Sequence, residues 1–284
     1  MRREQWESPR PGAEAVLRWA LPVGLGLMAL VLTLVIPGEP VPSGTPAVEE
    51  SQAGEGVPWP PVATFSILGY DPATGEVGGA VQSRVLSVGN GVLWGEAGVG
   101  VAVTQAIVDV SYGPQALELL RKGMHPEEIV PTIWENDPDP RPEDWSKEGR
   151  QFAVMDASGN VQAFTGPRAS SWAGHRVGEH VSAQGNILAG PEVVDRMVEA
   201  FESTPGHLSL RLQAALEAGQ AAGGDTRGKQ SAAMLIVKEG GGVWLNNDVV
   251  LRLQVDDHPE PITELGRLVD LAAEQRERVQ GARR

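Results

Sequence analysis

Strand-forming stretches in this chain arrive in clusters, and helices arrive between the clusters. Ala63–Gly69 (ATFSILG) alternates with a period near two, Asp71–Gly75 (DPATG) carries turn chemistry, and Val77–Ser83 and Val99–Gln105 follow. Tyr112–Gly123 then reads as a helix, with Ala116, Leu117, Leu119 and Leu120 on one face and Gly123 as its stop, and Pro126–Asn136 reads as a second. After the polar loop Asn136–Gly149, Gln151–Met155 and Val161–Thr165 flank a hairpin turn (DASGN). A strand at Val181–Gly185 precedes two helices, Pro191–Ser203 and Leu208–Ala222, the second ended by Gly223 and Gly224. Ser231–Lys238 and Val243–Asn247 flank a glycine-rich turn at Glu239–Gly242, and Pro259–Glu277 is a last helix. A doubly wound parallel sheet needs a helix after nearly every strand, so this order excludes it and predicts a layered α+β domain with antiparallel sheets.

Two segments ahead of that domain read differently. Trp19–Ile36 is 18 residues without a charge, preceded by Arg2, Arg3, Arg10 and Arg18. As a helix it spans about 27 Å, close to the hydrocarbon thickness of a bilayer. It is longer than a removable signal's apolar core, and the following Pro-Gly-Glu-Pro makes a poor cleavage site. The expectation is a single-pass signal anchor over 19–36, with residues 1–18 in the cytoplasm and the folded domain outside the cell membrane. Residues 37–62 hold seven Pro, four Gly and four Glu with no Lys or Arg, which reads as a disordered tether. The domain then occupies 63–268, and 269–284 forms a charged tail.

Composition removes several function classes. The net charge, 23 − 37 = −14, lacks the basic footprint that nucleic acid requires. With no Cys there is no thiol nucleophile, iron–sulfur site or zinc finger. Gly95–Gly100 (GEAGVG) has the wrong spacing for a dinucleotide loop, and no phosphate-binding G-x-x-x-x-G-K-[ST] exists. His175 and His180 lie five apart, off the spacing of a zinc-binding helix. In Asp256-Asp257-His258, neighbouring side chains on a strand point to opposite faces. No metal and no cofactor are expected. There is also no G-x-S-x-G elbow. From the residues alone Thr64 is an ordinary strand threonine. If a cut left it N-terminal, its α-amine, with a pKa of about 7.7–8.0, could serve as the base for its own hydroxyl.

Seven blocks in order carry a resemblance. They are Thr64–Ser83, Glu96–Ala106, Ser111–Gly123, Ala163–Glu179, Gln184–Glu202, Leu216–Ala233 and Val255–Leu268. Across residues 63–268 the chain resembles the domain of unknown function 1028 family, whose fold is similar to that of the N-terminal-nucleophile hydrolases. The resemblance implies a four-layered αββα sandwich and a site in which Thr64 opens the first strand. Many members begin there directly after Met, whereas 63 residues precede Thr64 here, so a free Thr64 amine requires scission of Ala63–Thr64. Positions in the matching blocks take roles by chemical type. Gln82 and Ser83 would flank the nucleophile, Thr104 and Gln105 line the pocket, and Asn186 donate to an oxyanion. Asp225 and Arg227 would pair or bind a substrate carboxylate, Gln230 and Ser231 orient substrate or nucleophile, and His175 act as an acid or a structural donor.

Three readings follow. One is an amidohydrolase cleaving a C–N bond of a small-molecule amide. A second is a tethered, non-catalytic binding or assembly module, and a third is a threonine peptidase in an oligomeric ring. The sequence permits a homo-oligomer without demanding one.

Overall fold

A computed structural model describes residues 64–282; the expected anchor 19–36, the linker and Ala63 lie outside the described residues. Among the described residues no helix is long and apolar enough to cross a membrane. The chain runs β1 (Thr64–Asp71), β2 (Glu76–Ser83), α1 (Gly89–Val92), β3 (Leu93–Glu96), β4 (Gly100–Ala106), α2 (Tyr112–Arg121), α3 (Pro126–Glu135), β5 (Arg150–Asp156) and β6 (Val161–Thr165). It continues with β7 (Trp172–Gly178), β8 (Val181–Leu188), α4 (Glu192–Ser203), α5 (Leu208–Ala221), β9 (Ser231–Val237), β10 (Val249–Val255) and α6 (Pro261–Ala282).

The strands form two antiparallel sheets. One has six strands in the order β10-β9-β2-β1-β8-β7, the other four in the order β3-β4-β5-β6. Strand alternation assigns each residue a face. On β1, Phe65 and Ile67 join an apolar cluster with Met197, Phe201, Leu212 and Leu216 of α4 and α5, to which Ile262 and Leu265 of α6 contribute. Leu68, on the other face, joins Val81, Val101, Val103 and Met155 between the sheets. Helices α2 and α3 cover the outer face of the smaller sheet through Ala116, Leu120, Ile129 and Ile133 against Ala102, Phe152 and Val154. The result is a mixed α/β domain with two antiparallel sheets and helices on both outer faces.

The layer between the sheets changes character along the strands. It is apolar around Leu68, Val101 and Met155, and polar at the end where β1 begins, with Ser66, Gln105, Gln151 and Gln184 all fully buried.

Several boundaries differ from the sequence reading. The expected strand Val243–Asn247 is the tip of the last hairpin, and the strand is Val249–Val255. VVLRLQV alternates, with Leu251 and Val255 buried and Arg252 and Gln254 exposed, whereas Val243, Trp244 and Leu245 are consecutive apolar residues without alternation. The expected strand at Val181–Gly185 continues to Leu188. The short α1–β3 unit and β7 are additional elements; β7 (WAGHRVG) is an edge strand in which hydropathy does not follow burial, Val177 being exposed and Arg176 half-buried.

Candidate functional site

Antiparallel register brings four polar residues into one row. Thr64 pairs with Ser83 on one side and with Asn186 on the other, and Ser83 pairs in turn with Ser231. Direct cross-strand partners share a face, so the row Ser231–Ser83–Thr64–Asn186 looks toward the smaller sheet. All four are fully buried. The Thr64 hydroxyl donates to Ser83 Oγ at 3.2 Å.

The facing sheet supplies amides. Gln105 and Gln151 are direct partners on β4 and β5, and Gln105 Nε2 donates to Gln151 Oε1 at 2.8 Å. Gln105 Nε2 and Asn186 Nδ2 approach the Thr64 carbonyl at 3.4 and 3.5 Å. Asn186 Nδ2 also donates to Gln151 Oε1 at 3.1 Å. Ser66 Oγ donates to Gln105 Oε1 at 2.6 Å and accepts from Gln184 Nε2 at 2.8 Å, while Ser182 donates to Gln184 Oε1 at 2.9 Å. No member of this network is ionisable, so it holds dipoles without the large desolvation cost of a buried charge. The Asn186 Oδ1 atom is buried without a hydrogen-bond partner.

The remaining sequence-expected residues scatter around this row. Gln82 is fully buried but lies on the opposite face of β2 from Ser83, its Nε2 reaching Gly228 O at 3.5 Å. Alternation separates it from Thr64. Thr104 likewise turns away from the facing sheet, with Oγ1 donating to Asp109 O at 3.0 Å. Ser231 Oγ donates to Val85 O and accepts from Val88 N, so it pins the segment after β2. Gln230 holds Asp257 at 3.0 Å through its side chain and Ser83 O through its backbone N–H.

Asp225 and Arg227 do form an ion pair, at 3.0 Å. Their loop abuts the end of β8 through Thr226 N to Ile187 O, and Arg84 Nη1 donates to Arg227 O at 2.6 Å. His175 sits on edge strand β7, exposed as a residue, with Nδ1 2.9 Å from Thr165 Oγ1. Crowding of the ring disfavours its charged form and lowers its pKa from the ordinary 6.5. Thr165 Oγ1 also accepts from Gln151 Nε2, so His175 is connected to the amide network through two bonds.

Gln151, Ser66, Gln184, Ser182 and Thr165 belong to the polar layer, and sequence reasoning misses them. The available signal is a glutamine inside an otherwise apolar strand (QFAVM), which a fully buried strand does not carry without a partner. Among the described residues no group of three or more His, Asp or Glu side chains is placed to hold a metal ion.

Residues 64–265 match the profile of a family described as "Family of unknown function (DUF1028)". The chain is also similar to the crystal structure of protein SPO2555 from Silicibacter pomeroyi, described with the same family. Sequence identity is 34%, coverage is 74% of this chain and 89% of that one, and the TM-score is 0.65. No curated protein matches the chain.

Proposed function

Because the chain belongs to the DUF1028 family, described only as of unknown function, we propose its activity from the site itself. Thr64 is a latent N-terminal nucleophile, released by scission of Ala63–Thr64, in an amidohydrolase made as a membrane-tethered precursor, which cleaves an amide or related C–N bond of a small molecule. The observation that carries this reading is the place of the Thr64 hydroxyl. It lies on the first residue of a central strand, between two sheets, 3.2 Å from Ser83 Oγ and beside the Asn186 amide. The helix–sheet–sheet–helix stacking, similar to that of the N-terminal-nucleophile hydrolases, supports it.

The chemistry follows from those groups. Thr64 Oγ1 attacks the carbonyl carbon while the freed α-amine takes the hydroxyl proton; near neutral pH that amine is poised to do so. The tetrahedral adduct expels the amine, which takes up the proton, and water then hydrolyses the ester on Thr64. Ser83 orients the hydroxyl that donates to it. Gln105 and Asn186 hold the Thr64 carbonyl. Asn186 serves an oxyanion only by releasing its long 3.5 Å approach to Thr64 O, since its Nδ2 is otherwise engaged by Gln151.

A second reading, a non-catalytic module, is favoured by one observation: Thr64 is fully buried. The experiment that separates the two is Thr64→Ala assayed with an amide library. The amidohydrolase reading expects turnover to vanish while the fold and ligand affinity persist. Retained turnover in Thr64→Ala rules the nucleophile out.

A further inference from the structure

The loop between β9 and β10 carries an apolar tip that the site does not use. Val243, Trp244 and Leu245 are 38%, 73% and 93% exposed. The backbone that presents them is built by hydrogen bonds: Gly242 N to Asn247 O at 2.8 Å, Asn247 N to Trp244 O at 3.2 Å, and Lys238 N to Asp248 O at 2.9 Å. Asp248 Oδ1 accepts from Gly240 N, and Asn247 Oδ1 accepts from Val249 N. A Cβ at Gly242 would collide with the Asn247 side chain and backbone, so the close approach needs glycine. Charges stand only at the base, on Lys238, Glu239 and Asp248, and residues 240–247 have none.

We propose that this tip is a lipid contact, in which Trp244 and Leu245 insert into the interfacial layer of a bilayer. The inference rests on the tethered reading above. The tip sets an exposed indole beside an exposed aliphatic side chain, which suits the headgroup–acyl boundary. The chain ahead of the domain decides for lipid over a protein pocket. The 18-residue charge-free run would hold the domain at a membrane, and the distance can be bridged. Ser231 pairs with Ser83, which pairs with Thr64, so β9 starts level with Thr64 and carries the chain away from it. Its seven residues cover about 20 Å. The 27 residues 37–63 can reach further than that, at up to about 3.3–3.6 Å each. The tip therefore meets the bilayer at high effective concentration, and a weak insertion suffices.

Two consequences follow. With the tip in lipid, the Thr64 end of the sheet is held away from the surface, on the aqueous side. After scission before Thr64 removes the anchor, the tip is the membrane attachment that persists. A net charge of −14 gives no attraction to anionic headgroups, so the attachment is not strengthened by anionic lipid or by lowering the salt.

The absence of Cys makes the test clean, because Leu245→Cys creates a single thiol. The full chain, labelled there with an environment-sensitive fluorophore, is reconstituted in phosphatidylcholine vesicles whose lipids carry a shallow quencher. A Glu135→Cys label on α3 serves as comparator, and flotation reports vesicle association. The expected result is a blue-shifted emission at position 245 with several-fold stronger quenching than at 135, not strengthened by added phosphatidylserine. A floating chain whose two labels behave alike overturns the tip insertion and leaves the anchor standing. A label at 245 shielded from water yet unquenched by lipid overturns it in favour of a protein partner or a second copy. A chain that does not float overturns both the anchor and the insertion.

Discussion

Ser66 on β1 donates to Gln105 on β4 at 2.6 Å, one bond that ties the two sheets together beside Thr64. Its direction is inherited from elsewhere. The carbonyls of Gly174 and Gly185 can only accept, so Gln151 must turn its NH2 toward them, at 3.1 and 2.8 Å. Gln151 Oε1 then faces Gln105 and Asn186, both of which must donate. Gln105 Oε1 is left to accept from Ser66, whose oxygen accepts from Gln184. Two backbone carbonyls thus set the polarity of the whole layer, including the donors aimed at the Thr64 carbonyl.

That polarity makes Gln151→Glu a specific test. A carboxylate there would face the two carbonyls, so burial and repulsion raise its folded-state pKa above the unfolded value. Stability in the variant is then present at acid pH and lost as pH rises through the raised pKa. Chemical denaturation at neutral pH should show a cost of about 1–3 kcal/mol for each buried carbonyl left without its donor, recovered in part below pH ~4. A variant equally stable at both pH values would refute the assigned polarity. Ser66→Ala should cost about 1–3 kcal/mol by orphaning Gln105 Oε1 and Gln184 Nε2.

Asp137 anchors the loop between α3 and β5. It accepts from Tyr112 Oη at 2.6 Å and from Arg150 Nε at 3.1 Å, with both partners of the ion pair buried. Burial pushes its carboxyl pKa up, but Tyr112, the Asp139 N–H and Arg150 together hold it below the usual 3.8. Its contribution is present above the unfolded pKa and lost as pH falls through the lowered one. Asp137→Asn leaves Arg150 buried and unpaired, and equilibrium unfolding should register a loss of about 3–5 kcal/mol.

His175 offers a separate pH handle. Its pKa is lowered from 6.5 by desolvation, so the unfolded chain takes up the proton first as pH falls. The residue's contribution to stability is therefore full above 6.5 and declines as pH drops toward the folded-state value. Ring-proton NMR should place the His175 midpoint below 6.5. A midpoint at or above that value would show that burial does not disfavour the charged ring.

Much of this architecture is legible in the residues. The period near two on Ala63–Gly69 and the small and β-branched residues of Val77–Ser83, with DPATG between, point to the central hairpin, and the helices between the strands are signalled by apolar faces, an opening Pro or a closing Gly. The polar row is less visible, because it depends on strand register over long separations: Thr64 meets Asn186 only once β1 and β8 are aligned. Gln82 and Thr104 illustrate the limit. Each neighbours a site-facing residue in sequence, and each is turned away by strand alternation. Val243–Asn247 reads as a strand because it opens with three apolar residues; the exposure of Val243–Leu245 becomes apparent only when Val249–Val255 takes the place beside β9.

The most direct test of the central claim is intact-mass analysis with N-terminal sequencing of the chain recovered from membrane and soluble fractions of a native-like host. Release of Thr64 as the nucleophile predicts a mature species whose first residue is Thr64, and amide hydrolysis that purifies with that species. Recovery of chains that all still carry residues 1–63 would contradict it.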